Sequence, residues 1–519
     1  MKHHWVLTLL LATLPAGWTL SASARVANGS DQKQSVQAQQ YEISDYGLES
    51  PASETITMEK PALPDVSQYN RTAVEERLFA LPSEPPNISV QRISGISALG
   101  DFVDEGRARE WIVRQFSHPQ AILVNSGKAT LDDVFRQVND ARYLQRNDDG
   151  SYLVRLPIAV RPGATLVIRD ETLRLSEERG AFIANDSSLF VIDSTVLGWR
   201  ERDNGPATYQ SAASFRPFFV GWGGSKTFVL GSTFSNLGYN QSKSYGFTVA
   251  QYSAYDNQKL QREPPSAWLI ESVFKDIYYG FYCYEARDVA IVDNVYQDNI
   301  IYGIDPHDYS SRLLIAGNDV FGTRKKHGII ISRQVNDSWI INNRSHNNAL
   351  SGIVLDRQSR NNVVAYNVVQ DNHGDGIGLY ESPDNLLWGN RLVNNLRNGI
   401  RIRNSTNVGV YHNIAILNGT FGVLGQVKDL SDTGRNIEED VYDQEVSMSV
   451  VGGKLAANAS GPLYTDNPQY IDLYDIEMRF PRSKAGIHFN GVLGTYQTEI
   501  FDGLLNQHRA VRIAPVVVN

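Results

Sequence analysis

Residues 328–380 read GIIISRQVNDSWIINNRSHNNALSGIVLDRQSRNNVVAYNVVQDNHGDGIGLY, and this stretch decides the fold. Gly328, Gly352 and Gly376 each open a short segment in which apolar residues alternate with others. Alternation with a period of two indicates a strand that buries one face. The sequence therefore predicts short strands that repeat along the chain.

The repeat extends to both sides of this stretch. Seven glycines recur at intervals of 23–25 residues: Gly280, Gly303, Gly328, Gly352, Gly376, Gly399 and Gly422. A column of asparagines follows the first six glycines by 14 or 15 residues: Asn294, Asn318, Asn343, Asn367, Asn390 and Asn413. The leucine-rich repeat, which has a similar period, is excluded because its L-x-x-L-x-L signature is absent. The sequence predicts an all-β protein, a right-handed parallel β-helix with coils of about 24 residues.

The regions around the repeat differ from it in composition. Residues 1–24 combine a basic start, a short apolar run and an Ala-Ser-Ala end, which predicts a signal peptide cleaved after Ala24 and export to the periplasm. A capping-box pattern at residues 130–133 predicts a short helix. The predicted organisation is a signal peptide (1–24), a polar N-terminal arm or linker (25–120), an N-terminal helical cap (121–150), the β-helix with its groove (151–425) and a C-terminal continuation with a cap (426–519).

Composition excludes several classes of function. The chain has 519 residues, with 48 Lys+Arg against 57 Asp+Glu, and this mild acidity argues against a nucleic-acid-binding protein. The single cysteine, Cys283, rules out an intrachain disulfide framework and a multi-cysteine metal site. Cys283 falls in an inward-facing column, where it acts as a small core residue. We expect no membrane span in the mature chain, no cofactor and no metal.

The register of the repeat predicts which side chains share a face. Equivalent positions of successive coils stack about 4.8 Å apart in a parallel β-helix. Three neighbouring columns form one strip: Tyr282, Asp305 and Arg401; Tyr284, His307, Ser332, Asp356, Tyr380 and Arg403; Asp308, Arg333 and Arg357. Tyrosines suit sugar-ring stacking, and arginines bind carboxylates through two parallel hydrogen bonds. The strip predicts a groove for a long, anionic, ring-containing ligand, in which Tyr282, Tyr284, Asp308, Asp356, Arg357, Tyr380, Arg401 and Arg403 bind substrate.

The most unusual window is Tyr302-Gly-Ile-Asp-Pro-His-Asp308. Proline is unfavourable inside a strand and restricts Asp305 to an extended conformation, so that Asp305 and His307 point to the same face. We expect Asp305 to orient the imidazole, His307 to act as a base and Arg333, one coil later, to neutralise a carboxylate. This set favours removal of a proton alpha to a carboxylate. A water or Tyr302 would return a proton on the opposite face.

This window, on coils of about 24 residues behind a signal peptide, resembles the periplasmic mannuronan C5-epimerases of alginate biosynthesis. The resemblance implies conversion of D-mannuronate to L-guluronate within the polymer. It further implies His307 as base, Arg333 as carboxylate neutraliser, Asp305 as a supporting residue and Tyr302 as a candidate proton donor. It also implies that the protein acts on the anionic polysaccharide polymannuronate or alginate and works with periplasmic proteins of an alginate export complex.

Three alternatives remain open at this point. A polysaccharide lyase shares the proton abstraction but then expels the C4 oxygen. A non-catalytic polyuronate-binding β-helix needs no base, so it predicts that replacing His307 leaves function intact. A β-helix adhesin is disfavoured, because the many near-identical Ser/Thr/Gly repeats typical of adhesins are missing.

Overall fold

The computed structural model describes residues 39–49, 56–103, 108–482 and 486–516. The predicted signal peptide lies outside these residues. The strands before the regular repeat are β1 (Tyr41–Tyr46), β2 (Asn87–Arg92), β3 (Gln120–Thr130), β4 (Leu144–Arg146), β5 (Tyr152–Val154), β6 (Ile158–Val160), β7 (Ala164–Arg169), β8 (Thr172–Ser176), β9 (Ile183–Asn185), β10 (Ser188–Ile192), β11 (Thr195–Arg200), β12 (Gly205–Pro206), β13 (Phe219–Trp222), β14 (Lys226–Leu230), β15 (Thr233–Ser235), β16 (Gly246–Ala250), β17 (Ser266–Ile270) and β18 (Val273–Lys275).

The regular repeat and the C-terminal region continue the series. The strands of the repeat are β19 (Tyr279–Tyr284), β20 (Ala290–Val292), β21 (Val295–Gln297), β22 (Tyr302–His307), β23 (Leu314–Ala316), β24 (Asp319–Phe321), β25 (Ile329–Ser332), β26 (Trp339–Ile341), β27 (Arg344–His346), β28 (Ile353–Asp356), β29 (Val363–Ala365), β30 (Val368–Gln370), β31 (Ile377–Tyr380), β32 (Leu386–Trp388), β33 (Arg391–Val393), β34 (Ile400–Arg403), β35 (Val408–Tyr411) and β36 (Ile414–Ile416). The strands that follow are β37 (Phe421–Gln426), β38 (Val446–Val451), β39 (Lys454–Ala456), β40 (Gly461–Thr465), β41 (Pro468–Tyr474), β42 (Glu477–Arg479), β43 (Asn490–Gly491) and β44 (Ala510–Pro515).

Helices occupy the flanks and one insertion between coils. They are α1 (Arg71–Phe79), α2 (Ser97–Val103), α3 (Ala108–Gln115), α4 (Leu131–Val138), α5 (Ala254–Leu260), α6 (Val492–Thr495) and α7 (Gln497–Phe501). Short 3₁₀ turns lie at Glu201–Asp203 and Ser431–Thr433, and a π-helical turn lies at Asp502–Asn506.

Each coil of the repeat contributes one strand to each of three parallel sheets. Sheet B contains β19, β22, β25, β28, β31, β34 and β37, sheet A contains the strand that follows each of these, and sheet C contains the next. Every neighbouring pair in these series is parallel, so the chain forms the predicted parallel β-helix. Its core consists of the inward-facing residues of all three sheets, with Cys283 fully buried among them.

The glycine column reflects close contact between coils. A Cβ atom on Gly376 would lie 2.6 Å from the carbonyl oxygen of Gly399, and one on Gly303 would lie 2.7 Å from that of Gly328. Real side chains do not approach backbone oxygens so closely, so any residue other than glycine would push the coils apart. The regular spacing of glycines therefore follows from the packing of successive coils.

The predicted asparagine column forms a buried ladder. The backbone N–H and the Nδ2 of Asn318 both donate to Oδ1 of Asn343, at 2.9 and 2.8 Å. Asn343 donates in the same way to Asn367, and each Nδ2 also donates to a backbone carbonyl. A second ladder, which the sequence analysis did not predict, runs through Asn348, Asn372, Asn395, Asn418 and Asn458. These ladders hold one coil in register with the next.

The two flanks of the β-helix have different structures. Helix α4 begins with the predicted capping box between Thr130 and Asp133 and buries Leu131 and Val134. That this helix closes the end of the sheet stack remains a prediction. Part of the predicted polar arm is ordered, since β1 pairs antiparallel with β44 and helix α1 packs Val74 and Leu78 against sheet A.

Helices α2 and α3 limit the length of the open face of sheet B. They belong to an aromatic cluster with the outward side chains of the early strands, including Trp111, Phe182, Phe218 and Trp222. The outward face of sheet B is therefore covered at β6, β9 and β13. We call the outward face of sheet B from β19 to β37 the groove.

Replacing Asn343 with alanine tests the ladder. The change leaves the N–H and Nδ2 of Asn318 and the carbonyl of Ile315 without their partners inside the core. We expect the free energy of unfolding to fall by about 2–4 kcal/mol. Chemical denaturation measures this change. Asn342→Gly is the control, because Asn342 is exposed with a φ of 54°, which glycine tolerates. Equal losses in the two variants would contradict a stabilising ladder.

Candidate functional site

The strands of sheet B place the predicted strip as the sequence analysis expected. Tyr302 and His307 are the first and last residues of β22. One stacked column runs Tyr284, His307, Ser332, Asp356, Tyr380 and Arg403. A neighbouring column pairs Tyr282 with Asp305, and further along Gly378 pairs with Arg401. The predicted register is therefore confirmed.

The third column lies at a turn where the chain leaves sheet B. Asp308, Arg333 and Arg357 have φ values of 29°, 67° and 53°, so each has a left-handed backbone. Their N–H groups donate to the next coil at 2.9–3.0 Å, which stacks the turns on one another. A left-handed residue other than glycine costs roughly 1–2 kcal/mol, and the stacked hydrogen bonds offset that cost. The turn also brings the side chain of Asp308 to the face of His307, although strict alternation would separate them.

His307, Asp308 and Arg333 form the centre of the site. Oδ2 of Asp308 lies 3.0 Å from Nδ1 of His307, and Oδ1 lies 3.5 Å from Nη1 of Arg333. Asp308 thus links the imidazole to the guanidinium one coil away. The sequence analysis expected Asp305 to orient the imidazole and Asp308 to bind substrate, but the carboxylate in contact with Nδ1 is that of Asp308. With Nδ1 occupied, Nε2 is the nitrogen left to accept a proton.

Two residues of the strip are buried, so the expectation that they face solvent is wrong. Asp305 is 1% exposed and Tyr282 is 9% exposed. The rings of Tyr245 and Tyr279 pack on Tyr282, at 4.8 and 5.9 Å between centroids. Burial raises the pKa of Asp305 to about 7. Its carboxyl group therefore exchanges a proton near neutral pH, in the immediate surroundings of His307.

Opposing effects set the pKa of His307. Burial lowers it, but the contact with Asp308 and the charges of Asp305 and Asp308 raise it by more. The net pKa lies above the ordinary value of a histidine. A raised pKa makes the neutral imidazole a stronger base, which suits removal of a weakly acidic proton.

Tyr302 lies in a separate cluster at the other end of β22. Nζ of Lys326 donates to its hydroxyl at 3.3 Å, and the ring stacks on His327 with centroids 6.1 Å apart. Burial and, after it, the charge of Asp305 raise the pKa of Tyr302, so the phenol is protonated at neutral pH. Burial lowers the pKa of His327 to about 4, and its Nδ1 accepts from the backbone N–H of Ser351. Neither Lys326 nor His327 was predicted from the sequence.

The groove arginines all contact carboxylates of the protein. Arg403 donates to Glu381 at 2.8 Å, and Arg401 lies 3.8 Å from Asp375. Both guanidinium groups also lie over the ring of Tyr380. The sequence analysis assigned Tyr380 and these arginines to the substrate. The structure shows instead that their charges are already compensated.

A segment far along the chain compensates the other two arginines. Asp440 contacts Nε of Arg333 at 2.8 Å and Nη1 of Arg357 at 3.2 Å, and Glu439 lies 3.2 Å from Nη2 of Arg333. Arg357 also lies 3.4 Å from Asp356. No repeat or motif surrounds Asp440 and Glu439, so sequence reasoning had no signal by which to find them.

Neither a metal site nor a membrane helix is found in the part of the chain that the structure describes. No group of three or more His, Cys, Asp or Glu side chains there could hold a metal ion. Within the same residues, no helix is both long and apolar enough to cross a bilayer.

Comparison with known proteins identifies the family. A mannuronan C5-epimerase of Pseudomonas putida is 50% identical over 91% of this chain and 91% of its own length. The mannuronan C5-epimerase AlgG of Azotobacter vinelandii is 48% identical over 91% of this chain and 90% of its own length. The chain belongs to the mannuronan C5-epimerase family. The family resemblance inferred from the sequence is thereby confirmed.

A solved structure of the family supports the fold and the location of this epimerase. The crystal structure of the periplasmic alginate epimerase AlgG superimposes with a TM-score of 0.80 at 47% identity, covering 82% of this chain and 100% of that one. This similarity confirms the predicted β-helix and the predicted periplasmic location. A family model described as "Periplasmic copper-binding protein (NosD)" matches residues 239–422, which are mainly the regular coils and less than half of the chain.

The pKa of His307 tests the central contact of the epimerase. In Asp308→Asn the charge that favours the imidazolium is lost, so we expect the pKa of His307 to fall. NMR titration of protein with ¹³C-labelled histidine measures it. His327 is an internal reference, because its pKa of about 4 arises from burial and Lys326 and not from Asp308. An unchanged or higher pKa of His307 would contradict control by Asp308.

Proposed function

We propose that this epimerase converts β-D-mannuronate to α-L-guluronate within the alginate polymer. His307 removes the proton from C5, and a proton returns to the opposite face of the same carbon. The observation that carries the proposal is the arrangement of His307, Asp308 and Arg333 in an open groove, with 3.0 and 3.5 Å between the contacting atoms. Membership of the mannuronan C5-epimerase family supports it.

Proton removal depends on the state of His307. Nε2 takes the C5 proton, and the imidazolium that forms is stabilised by Asp308, which contacts Nδ1 at 3.0 Å. The side chain of His307 is 26% exposed, so a sugar in the groove can reach it. Asp305 adds a second carboxyl group near the ring, and its proton exchanges near neutral pH. These groups together favour transfer of the proton to His307.

Arg333 compensates the charge that develops on the substrate. Loss of the C5 proton places a second negative charge on the uronate carboxylate, which is the main reason that this C–H bond is weakly acidic. A guanidinium bound to the carboxylate stabilises that charge, an effect that typically amounts to several kcal/mol in a partly dry site. Arg333 is suitably placed, since it shares Asp308 with the base.

Reprotonation from the opposite face completes the inversion at C5. Two groups fit the role of donor, a water molecule and Tyr302. The raised pKa of Tyr302 keeps its phenol protonated, and Lys326 donates to its oxygen. A phenolate left after proton donation would be stabilised by the charge of Lys326.

Proton NMR of polymannuronate treated with the enzyme in deuterated water tests the proposal. We expect guluronate signals with deuterium at C5 and no unsaturated chain ends. His307→Ala should lower the rate by about 10²–10⁴-fold and Arg333→Ala by about 10²–10³-fold. His373→Ala and Arg344→Ala are matched controls, because both residues are exposed and lie outside the groove.

Each other result of this experiment excludes the proposal. Unsaturated ends with falling chain length would identify a lyase, which uses the same base but expels the C4 oxygen. An unchanged polymer that still binds would identify a non-catalytic polyuronate-binding protein. Full activity of His307→Ala would remove His307 from the mechanism.

We further propose that the enzyme acts within a periplasmic alginate export complex. The support is an exposed apolar surface at helix α3, where Ile112, Val113 and Phe116 are 44%, 62% and 80% exposed. Apolar residues clustered in this way are typical of protein–protein contacts.

A double variant, Val113→Asp with Phe116→Asp, tests the export surface. We expect the purified variant to epimerise polymannuronate at the normal rate, because α3 lies outside the groove. Cells that carry it in place of the normal protein should release at least several-fold less alginate. Normal release would contradict a role of this surface in export.

A further inference from the structure

One coil of the β-helix contains a long insertion. Equivalent positions Ile400 and Val423 are 23 residues apart, whereas Val423 and Leu463, one coil later, are 40 apart, so this coil has 17 extra residues (40 − 23). The insertion lies between β37 and β38, at the turn where the chain leaves sheet B. We call residues 427–445 the strap.

The strap folds back along the groove. It reaches across about four coils, or roughly 19 Å at the usual coil spacing. Its contacts with earlier coils are Lys428 with Asn404 at 2.6 and 2.7 Å, Arg435 with Glu381 at 2.5 Å, the carbonyl of Val441 with Nε2 of Gln358 at 3.0 Å, Asp440 with Arg357 at 3.2 Å and Asp440 with Arg333 at 2.8 Å. These contacts are polar, as are those that a uronate polymer would make.

Asp440 occupies the place expected for a substrate carboxylate. It is 7% exposed, and its two oxygens bridge Arg333 and Arg357, which are in successive coils. Glu439 takes Nη2 of Arg333, and Asp308 takes Nη1. Both edges of the Arg333 guanidinium that could bind a carboxylate through two hydrogen bonds are therefore in use.

The closed strap is incompatible with the chemistry required of Arg333. Three carboxylates already surround this guanidinium, so it has little attraction left for the second negative charge that develops on the substrate. Under the strap there is also a polar cavity of about 510 Å³, lined by Arg357, Arg403, Arg435, Glu381 and others. A cavity of this size accommodates a small ligand, but a polymer interior can enter it from the side only when the strap is open.

We propose that the strap is a substrate-displaced closure, in which Asp440 holds the uronate-carboxylate position at Arg333 and Arg357 until a polyuronate replaces it. The proposal rests on the proposed function. Uronate carboxylates take over the arginines one after another, and the strap leaves the groove.

Displacement makes the enzyme selective for chain length. The strap is held at several points, so a ligand must replace several contacts before Arg333 is released. A polymer presents many carboxylates on one chain, and after the first has bound, the next ones bind at high effective concentration. A short oligomer lacks this advantage. Asp440 is thus a specificity-determining residue that favours long chains over short ones.

Kinetics with chains of two lengths test the role of Asp440. For Asp440→Asn we expect KM for hexamannuronate to fall by about tenfold and KM for the polymer to change by less than threefold. Glu438→Gln is the control, since it removes one exposed strap carboxylate that makes no ion pair within the described residues. A residue that only positions Arg333 would give a lower kcat at both lengths with KM unchanged, and that result would overturn the proposal.

Hydrogen exchange of the unmodified protein gives a readout that does not require activity. We expect amides of the strap to exchange at least several-fold faster when the protein is saturated with polymannuronate, while amides of β22 and β25 exchange more slowly. Slower exchange in the strap would show that it closes over the bound chain and would overturn the proposal. A chain that binds polymer and opens the strap without epimerising it would refute the proposed function but not the strap.

Discussion

Buried asparagine side chains hold each coil of the β-helix to the next, because an amide inside the core must find partners for both its donor and its acceptor groups. In the ladder from Asn294 to Asn413 those partners are the equivalent groups of the neighbouring coil. A slip of one residue would leave these groups unpaired and would also turn the apolar faces outward. The site depends on this register, since His307 and Arg333 belong to different coils and meet only because the coils stack in this way.

Those parts of the structure that repeat could be predicted from the sequence. The glycine column marks where coils touch, the asparagine column marks a buried ladder, and alternation separates inward residues such as Cys283 from outward ones such as His307. Each of these signals is local and recurs at a fixed spacing, so one register accounts for all of them. The column that contains His307, Asp356, Tyr380 and Arg403 follows directly from it.

The remainder of the site depends on contacts that no period describes. Asp440 is 107 residues from Arg333 in the chain, within a segment that has no repeat. Which carboxylate contacts His307 is decided by the left-handed turn at Asp308, and sequence alternation alone favours Asp305. The burial of Asp305 and Tyr282 requires Tyr245 and Tyr279, whose positions follow from side-chain packing and not from register. Long-range charge pairing and packing thus set the chemistry of a groove whose outline is periodic.

In this account the groove is charge-compensated before substrate arrives and becomes catalytic when uronate carboxylates replace those of the protein. A crystal structure of the His307→Ala variant with a bound oligomannuronate long enough to open the strap tests this account most directly. The account predicts a uronate carboxylate within hydrogen-bonding distance of Arg333, the C5–H bond directed at the vacated imidazole position, and Asp440 removed from the groove. A uronate bound elsewhere, or bound while Asp440 still contacts Arg333, would contradict it.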